Sequence, residues 1–253
     1  MMRKLSCLAL LSVLSSAQVQ ADTLLGFTAG IELWNVDSSG SISDISESDL
    51  QFFDLGTEVK GVVSIAFEHP VPLVPNLKVR TNDLSSDGDM VLSETFRYAG
   101  MTFSAGRKVD VEFDMQSTDF VFYYELFDND LVSFDFGLNL KYLDGDIRVE
   151  DIVTSQASQD RFKGYVPMLY GAAQVGIPAT PLWVYGDLNI LSVGDHKLQD
   201  YQLGLAYSVI DNLAVDLRLK GGYRSFLLEL DDLDGVYTDW DFDGFYLGLE
   251  VDF

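Results

Sequence analysis

Asp239, Asp241, Asp243, Gly244 and, after five further residues, Glu250 carry the full spacing of a calcium-binding EF-hand loop. That chemistry needs a curled loop whose carboxylates converge on one ion between two helices. Residues 245–253 instead alternate apolar and polar side chains. A strand there holds Glu250 more than about 15 Å from Asp243 at ~3.3 Å per residue. The calcium-loop reading therefore fails. Hydrolytic chemistry usually needs a base such as histidine beside a nucleophile or a carboxylate. Only His69 and His196 are available. His69 sits in the proline-rich stretch 69–76, and His196 follows Asp195 with Ser192 nearby. An adjacent Asp-His pair on extended chain points its side chains apart, so catalysis is not expected and no residue is assigned a catalytic role.

The elements that must carry these residues are strands. Leu25, Phe27, Ala29, Ile31 and Leu33 share one face of the first, opposite Gly26, Thr28, Gly30 and Glu32. The same period of two runs through residues 131–143, 201–209 and 213–224. Ten strands are assigned, at 23–35, 55–68, 76–84, 108–126, 131–143, 163–176, 182–191, 199–209, 213–228 and 241–253. In 96–127 the pattern slips: Val109, Val111, Phe113 and Met115 alternate with Asp110, Glu112 and Asp114, and then Asp119 falls on the apolar face. A bulge there keeps ten strands, whereas an extra hairpin gives twelve; eight is the lower alternative. Residues 164–186 carry no charge and are long enough to cross a membrane as a helix. Pro167, Pro178 and Pro181 make them poor helix material, and two strands around a turn at 176–181 fit better.

Strands of about 9–12 residues exceed the usual ~5–6 of globular sheets and match a tilted bilayer crossing. Short turns at 128–130 and 210–212 alternate with long acidic connections at 36–53, 85–95, 144–161 and 230–240, the asymmetry of a barrel with short inner turns and longer external loops. Arg3 and Lys4, an apolar run from Leu5 to Leu14 and the site Val19-Gln20-Ala21 form a cleavable export signal over residues 1–21. The expected mature domain is 22–253, one all-β transmembrane antiparallel up-and-down barrel. Removing the signal takes Arg3 and Lys4 but none of the 40 acidic residues, so the net charge becomes more negative than −24. Such a surface repels nucleic acid. The only cysteine, Cys7, goes with the signal, so no disulfide is expected. Hydrophobic residues make up 47% of the chain, too many for disorder.

The last strand closes on an aromatic residue. Phe245, Leu247, Leu249, Val251 and Phe253 lie on one face, which resembles the signal read by the barrel-insertion machinery. The stretches 68–76 (EHPVPLVPN), 122–141 (FYYELFDNDLVSFDFGLNLK) and 223–253 resemble a family of small Gram-negative outer-membrane β-barrel proteins with no established activity. The resemblance implies the fold and the compartment and carries over no functional residue.

In such a barrel, inward faces would hold Lys60, Lys78, Arg80, Lys141, Arg218, Lys220 and Arg224 beside Glu32, Glu58, Asp110, Glu112, Asp114, Asp135, Asp187, Asp216 and Glu250. Buried charges need partners, so either a salt-bridged plug or a narrow cation-preferring, porin-like pore follows. Asp231, Asp232, Asp234, Asp239, Asp241 and Asp243 would crowd the outer rim. There calcium or magnesium could bridge them to lipopolysaccharide, since hard cations prefer carboxylate oxygens. No other cofactor is expected. The expected role is a non-enzymatic outer-membrane protein, structural or surface-interacting, with membrane lipids and lipopolysaccharide as its partners. A narrow channel and a rim-located hydrolase are the alternatives.

Overall fold

A computed structural model of the chain describes residues 25–43, 50–129, 131–193, 196–212, 215–233 and 236–253. The expected export signal at 1–21 lies outside them, as do Asp195 and Asp234. The side chains of His196, Asp231 and Asp232 are likewise undescribed.

Thirteen strands follow one another among the described residues: β1 (Gly26–Ser43), β2 (Gln51–Glu68), β3 (Asn76–Asp83), β4 (Ser86–Val91), β5 (Phe96–Tyr98), β6 (Met101–Phe103), β7 (Lys108–Asp128), β8 (Val132–Asp151), β9 (Gln156–Gly176), β10 (Leu182–Val193), β11 (His196–Ile210), β12 (Asp216–Leu233) and β13 (Val236–Asp252). Every pairing between them is antiparallel. β1 pairs with both β2 and β13, and β3 returns to β7, which closes the sheet into a barrel. β3 and β4 pair with successive stretches of β7, so they are two pieces of one stave. The wall therefore has ten staves, as the spacing predicts. β5 and β6 form a separate hairpin off the wall.

The slip foreseen at Asp119 needs neither a bulge nor an added wall strand. β7 runs in unbroken register against β8 from Val109↔Asp151 to Glu125↔Asp135. Its odd residues face inward from Val109 to Tyr123, and the register shifts only beyond Glu125. What changes is the surroundings: near Ser117 the strand leaves the bilayer, and the polarity of both faces inverts. Below that level Phe120, Phe122 and Tyr124 face lipid while Asp119 faces the lumen. Above it Val109, Val111 and Phe113 are completely buried inside, and Asp110, Glu112 and Asp114 face water. This corrects the inward placement expected for Asp110, Glu112 and Asp114.

Other staves invert at the same height. In β1 the lipid-facing Ile31 and Leu33, 58% and 63% exposed, give way to inward Trp34 and Val36 at 0%. In β13 the outward Phe245 and Leu247 are replaced by inward Trp240 and Phe242. Tyr142, Tyr165, Tyr201 and Tyr223 sit near the transition, where amphipathic rings favour the bilayer interface. The connections at 36–53, 85–95, 144–161 and 230–240, expected as loops, are thus largely strand. They prolong the barrel above the membrane, and burying an apolar core there rewards order in them.

That outer core is aromatic. Phe113 packs against Trp240 and Phe242 at centroid distances of 4.3 and 5.4 Å, and Phe53 meets Phe96 edge-on at 5.7 Å. The β5–β6 hairpin lies over it and buries Phe96, Tyr98 and Phe103. Its turn needs positive φ at Ala99 (45°) and Gly100 (77°), a demand glycine meets without strain. The Ser158 hydroxyl donates to the Tyr98 carbonyl at 3.0 Å and pins the hairpin to β9. The uncharged stretch 164–186 is the end of β9, a turn and the start of β10. Among the described residues no helix is long and apolar enough to cross a membrane.

Candidate functional site

Within the membrane-spanning part, alternate residues of neighbouring staves project into a narrow lumen. The sequence fills that lumen with ions. Arg80 on β3 donates to Asp119 on β7 at 3.2 Å, to Asp200 on β11 at 2.9 Å and to Asp187 on β10 at 3.4 Å. Lys141 on β8 bridges Asp119 and Asp200 at 2.7 and 3.0 Å. Arg224 on β12 donates to both oxygens of Asp200, at 3.0 and 2.9 Å. Asn139 donates to Asp119 at 2.7 Å and to Asn189 at 2.9 Å, and Gln202 joins Arg80 to Glu32. The Arg224 guanidinium also lies 4.6 Å from the Trp34 ring centroid, and the Lys141 ammonium lies 5.0 Å from that of Phe226.

This belt ties seven staves together across the lumen. Its five central charges are 0–6% exposed at the side chain. Desolvating a charge costs several kcal/mol, which is offset only by close partners and satisfied lone pairs. Asp200 meets that demand with three cations. Nearer the periplasm, Lys220 pairs with Glu250 at 2.7 Å, and the Tyr123 hydroxyl donates to Glu68 at 2.7 Å. Above the belt comes the aromatic core and then the hairpin. Of the charges anticipated on inward faces, Glu32, Arg80, Lys141, Asp187 and Arg224 meet in the belt. Arg218 and Lys220 pair with Glu250 below it, and Lys60 pairs with Glu58 away from it, whereas the three carboxylates of the outer β7 face out. The apolar core above the belt was missed. Its signal was present in Val109, Val111, Phe113 and Met115, which form a clean row of their own.

The second candidate is the outer wall. Across β4, β7 and β8, Asp89 stands opposite Asp110, which stands opposite Glu150; Asp87 faces Glu112, and Asp114 faces Asp146. Like charges directly opposite on neighbouring strands destabilise a sheet. Burial and then the carboxylates of Glu112, Asp87, Asp89 and Glu150 push the Asp110 carboxyl up from its ordinary value. Arg148 partly relieves the row through Glu112 and Glu150. Beside it the wall is interrupted. β2 pairs with β3 only from Val62 onward, leaving residues 57–61 unpaired on that side. Higher up, Gly88 lets β4 approach β2 directly: a Cβ there would lie 2.9 Å from the Asp54 carbonyl oxygen. The opening between is a cleft of about 460 Å³, lined by Glu58, Lys60, Ser85, Ser86, Asp87, Glu112 and Asp114.

Asp239, Asp241 and Asp243 lie along the outer β13, with Asp243 opposite Asp37 and accepting a hydrogen bond from the Tyr223 hydroxyl. Among the described residues no three histidine, cysteine or carboxylate side chains are placed to hold a metal ion by themselves. Gly244 and Glu250 lie on β13 with these aspartates, consistent with rejecting the calcium loop. His69 is engaged locally, its Nε2 3.2 Å from the Pro75 carbonyl and its Nδ1 accepting from the Val71 amide.

No protein-family model matches the chain, and no curated protein matches its sequence. Solved structures do. The outer-membrane protease OmpT of Escherichia coli superposes with a TM-score of 0.58 at 9% identity, over 92% of this chain and 98% of OmpT. The chain folds as a Gram-negative outer-membrane β-barrel. The attachment invasion locus protein Ail of Yersinia pestis aligns over 90% of this barrel and 99% of its own chain, at 10% identity and a TM-score of 0.38. Neisserial surface protein A aligns over 90% of the barrel and 97% of its own chain, at 12% identity and a TM-score of 0.33. The apolar band edged by aromatic rings fits a barrel that crosses a membrane, with the aromatic core lying beyond that band.

Proposed function

We propose that this outer-membrane barrel is a closed, non-enzymatic protein whose acidic outer wall binds cationic groups, such as the ammonium or guanidinium side chains of a peptide. The observation that carries the reading is the opposed carboxylate rows Asp89–Asp110–Glu150, Asp87–Glu112 and Asp114–Asp146. A sheet that keeps like charges face to face gives up stability which a cationic partner would restore. The cleft beside Glu112 and Asp114 offers such a group a recess. The filled lumen supports a closed barrel in preference to a pore.

Two measurements test this. The refolded protein should bind fluorescent oligolysine at low salt and lose it at high salt. Glu112→Gln combined with Asp114→Asn should weaken binding at least several-fold. Equal affinity in that double variant overturns the surface reading. In planar bilayers the protein should give no discrete conductance steps, whereas cation-selective steps would restore the narrow channel.

Calcium or magnesium bridging of Asp239, Asp241 and Asp243 to lipopolysaccharide is a second proposal. It is supported by Asp241, whose carboxyl is pushed up by burial and then by the charges of Asp243, Asp239 and Asp37. Lipid phosphates would complete a coordination shell that these carboxylates only begin. The outward row Phe245, Leu247, Leu249, Val251 and Phe253 is also the proposed insertion signal. Support comes from its position on β13, the stave that joins β12 to β1.

A further inference from the structure

The turn between β2 and β3, His69-Pro-Val-Pro-Leu-Val-Pro75, carries no charged residue and three exposed apolar ones. Val71, Leu73 and Val74 are 54%, 92% and 49% exposed. Exposed apolar side chains on a flexible tip would need no account, but this tip is held. The His69 amide donates to Asn76 Oδ1 at 3.1 Å, and the His69 ring accepts from the Val71 amide. The Val74 amide donates to the Val71 carbonyl at 3.4 Å. Three prolines remove backbone freedom. Leu73 is fixed at a φ of 67°, a left-handed conformation that a branched side chain disfavours.

The direction in which the turn leans decides what it meets. Tyr123 and Tyr124 are consecutive on β7 and point to opposite faces. Tyr123 points into the lumen and donates to Glu68, whereas Tyr124 points outward and its hydroxyl donates to the Leu73 carbonyl at 2.9 Å. The turn is therefore tied to the lipid side of the wall and not across the mouth. On its other flank the His69 ring lies 5.8 Å from Phe67, and Phe67 lies 4.9 Å from Phe27; both phenylalanines belong to the lipid-facing row. Leu126, Phe127 and Leu131, 60%, 53% and 43% exposed, continue the apolar surface along the same edge.

From this geometry we infer that the 70–75 turn is an anchor inserted into the periplasmic leaflet, with Val71, Leu73 and Val74 among phospholipid acyl chains. The occupant is phospholipid, because the turn is continuous with the lipid-facing band and is bonded to it through Tyr124. A rigid apolar tip beyond the wall sets how deeply the barrel sits, as interfacial anchors do.

The test is a depth measurement on the full chain in phosphatidylcholine and phosphatidylethanolamine vesicles. A nitroxide is placed by Leu73→Cys in a Cys7→Ser background, with Val153→Cys, on the turn between β8 and β9, as the aqueous control. At position 73 the label should be relaxed more by oxygen than by a water-soluble nickel chelate. At position 153 the preference should be reversed. Tyr124→Phe, which removes the tether and keeps the ring, should move the position-73 label toward the aqueous values. A label at 73 as accessible to the nickel chelate as the one at 153 overturns the anchor and leaves a periplasmic protein as the partner. A lipid-exposed label that Tyr124→Phe does not shift overturns the role of the tether.

Discussion

Lys141 and Asp119 face each other across β8 and β7, 2.7 Å apart, and neither side chain reaches solvent. Lys141 also reaches Asp200 on β11, so the pair is part of a web that crosses the lumen. Charges placed so deeply are held by one another. Removing one member strands the rest.

Asp200 is the member with most to lose, since Arg80, Lys141 and Arg224 all point at it. Asp200→Asn should destabilise the barrel by about 3–5 kcal/mol, the usual cost of breaking a buried pair from one side. Adding Arg224→Met should recover part of that loss, because one stranded cation is removed. Urea unfolding in phospholipid bilayers measures both. If Asp200→Asn is neutral, the belt is hydrated and contributes little to closure.

The outer core and the lipid face should respond differently to truncation. Phe113 is completely buried between Trp240 and Phe242, so Phe113→Ala should cost about 3–5 kcal/mol. Leu247 is 68% exposed on the lipid face. Leu247→Ala exchanges one hydrocarbon contact for another and should cost no more than about 1 kcal/mol. The comparison must be made in bilayers, and a ranking opposite to this would remove the apolar outer core.

The sequence pattern shows the barrel because side-chain alternation follows backbone geometry, and ten staves follow from its segment lengths. It also shows most of the belt: Arg80, Lys141, Asp187 and Arg224 alternate with lipid-facing neighbours. The outer half is harder to read because period two survives a change of surroundings while polarity does not. Val111 and Asp119 share a face of β7, yet one belongs to an apolar core in water and the other to an ionic core in lipid. A reading that equates apolar with outward inverts Asp110, Glu112 and Asp114 there. The partnership of Asp200 with three cations is not visible at all, since it joins β3, β8, β11 and β12 through closure alone.

The pH response of the outer region has two opposing parts. The Asp151 carboxyl accepts from the Thr154 and Val153 amides at 3.0 and 2.9 Å, and the Thr154 amide above all holds it below its ordinary value. Its contribution to stability is therefore present above the unfolded carboxylate range, about 4, and is lost as pH falls through the lower folded value. Asp110 is shifted the other way, so its contribution is present in acid and lost as pH rises through its raised value. Asp110→Asn should raise the thermal midpoint at neutral pH and low salt, a gain in stability under about 1 kcal/mol for a largely solvated surface charge. The gain should shrink as the pH approaches 4 or as salt is added. Asp151→Asn should lower the midpoint at neutral pH and converge with the parent in acid. Midpoints against pH for the three proteins check both signs.

Cation bridging at the outer β13 makes its own demand. If calcium or magnesium links Asp239, Asp241 and Asp243 to lipopolysaccharide phosphates, both the cation and the phosphate must be present. The thermal midpoint should rise with millimolar calcium in lipopolysaccharide-containing membranes and fall back with chelator. It should stay unchanged in phosphatidylcholine, where no anionic lipid stands at the rim. Asp239→Asn with Asp241→Asn should abolish most of the rise. General screening by a divalent salt would stabilise in both membranes alike, because the outer wall as a whole repels itself. A calcium effect of the same size in phosphatidylcholine, or one that survives the double substitution, therefore counts against a bridge at this strand.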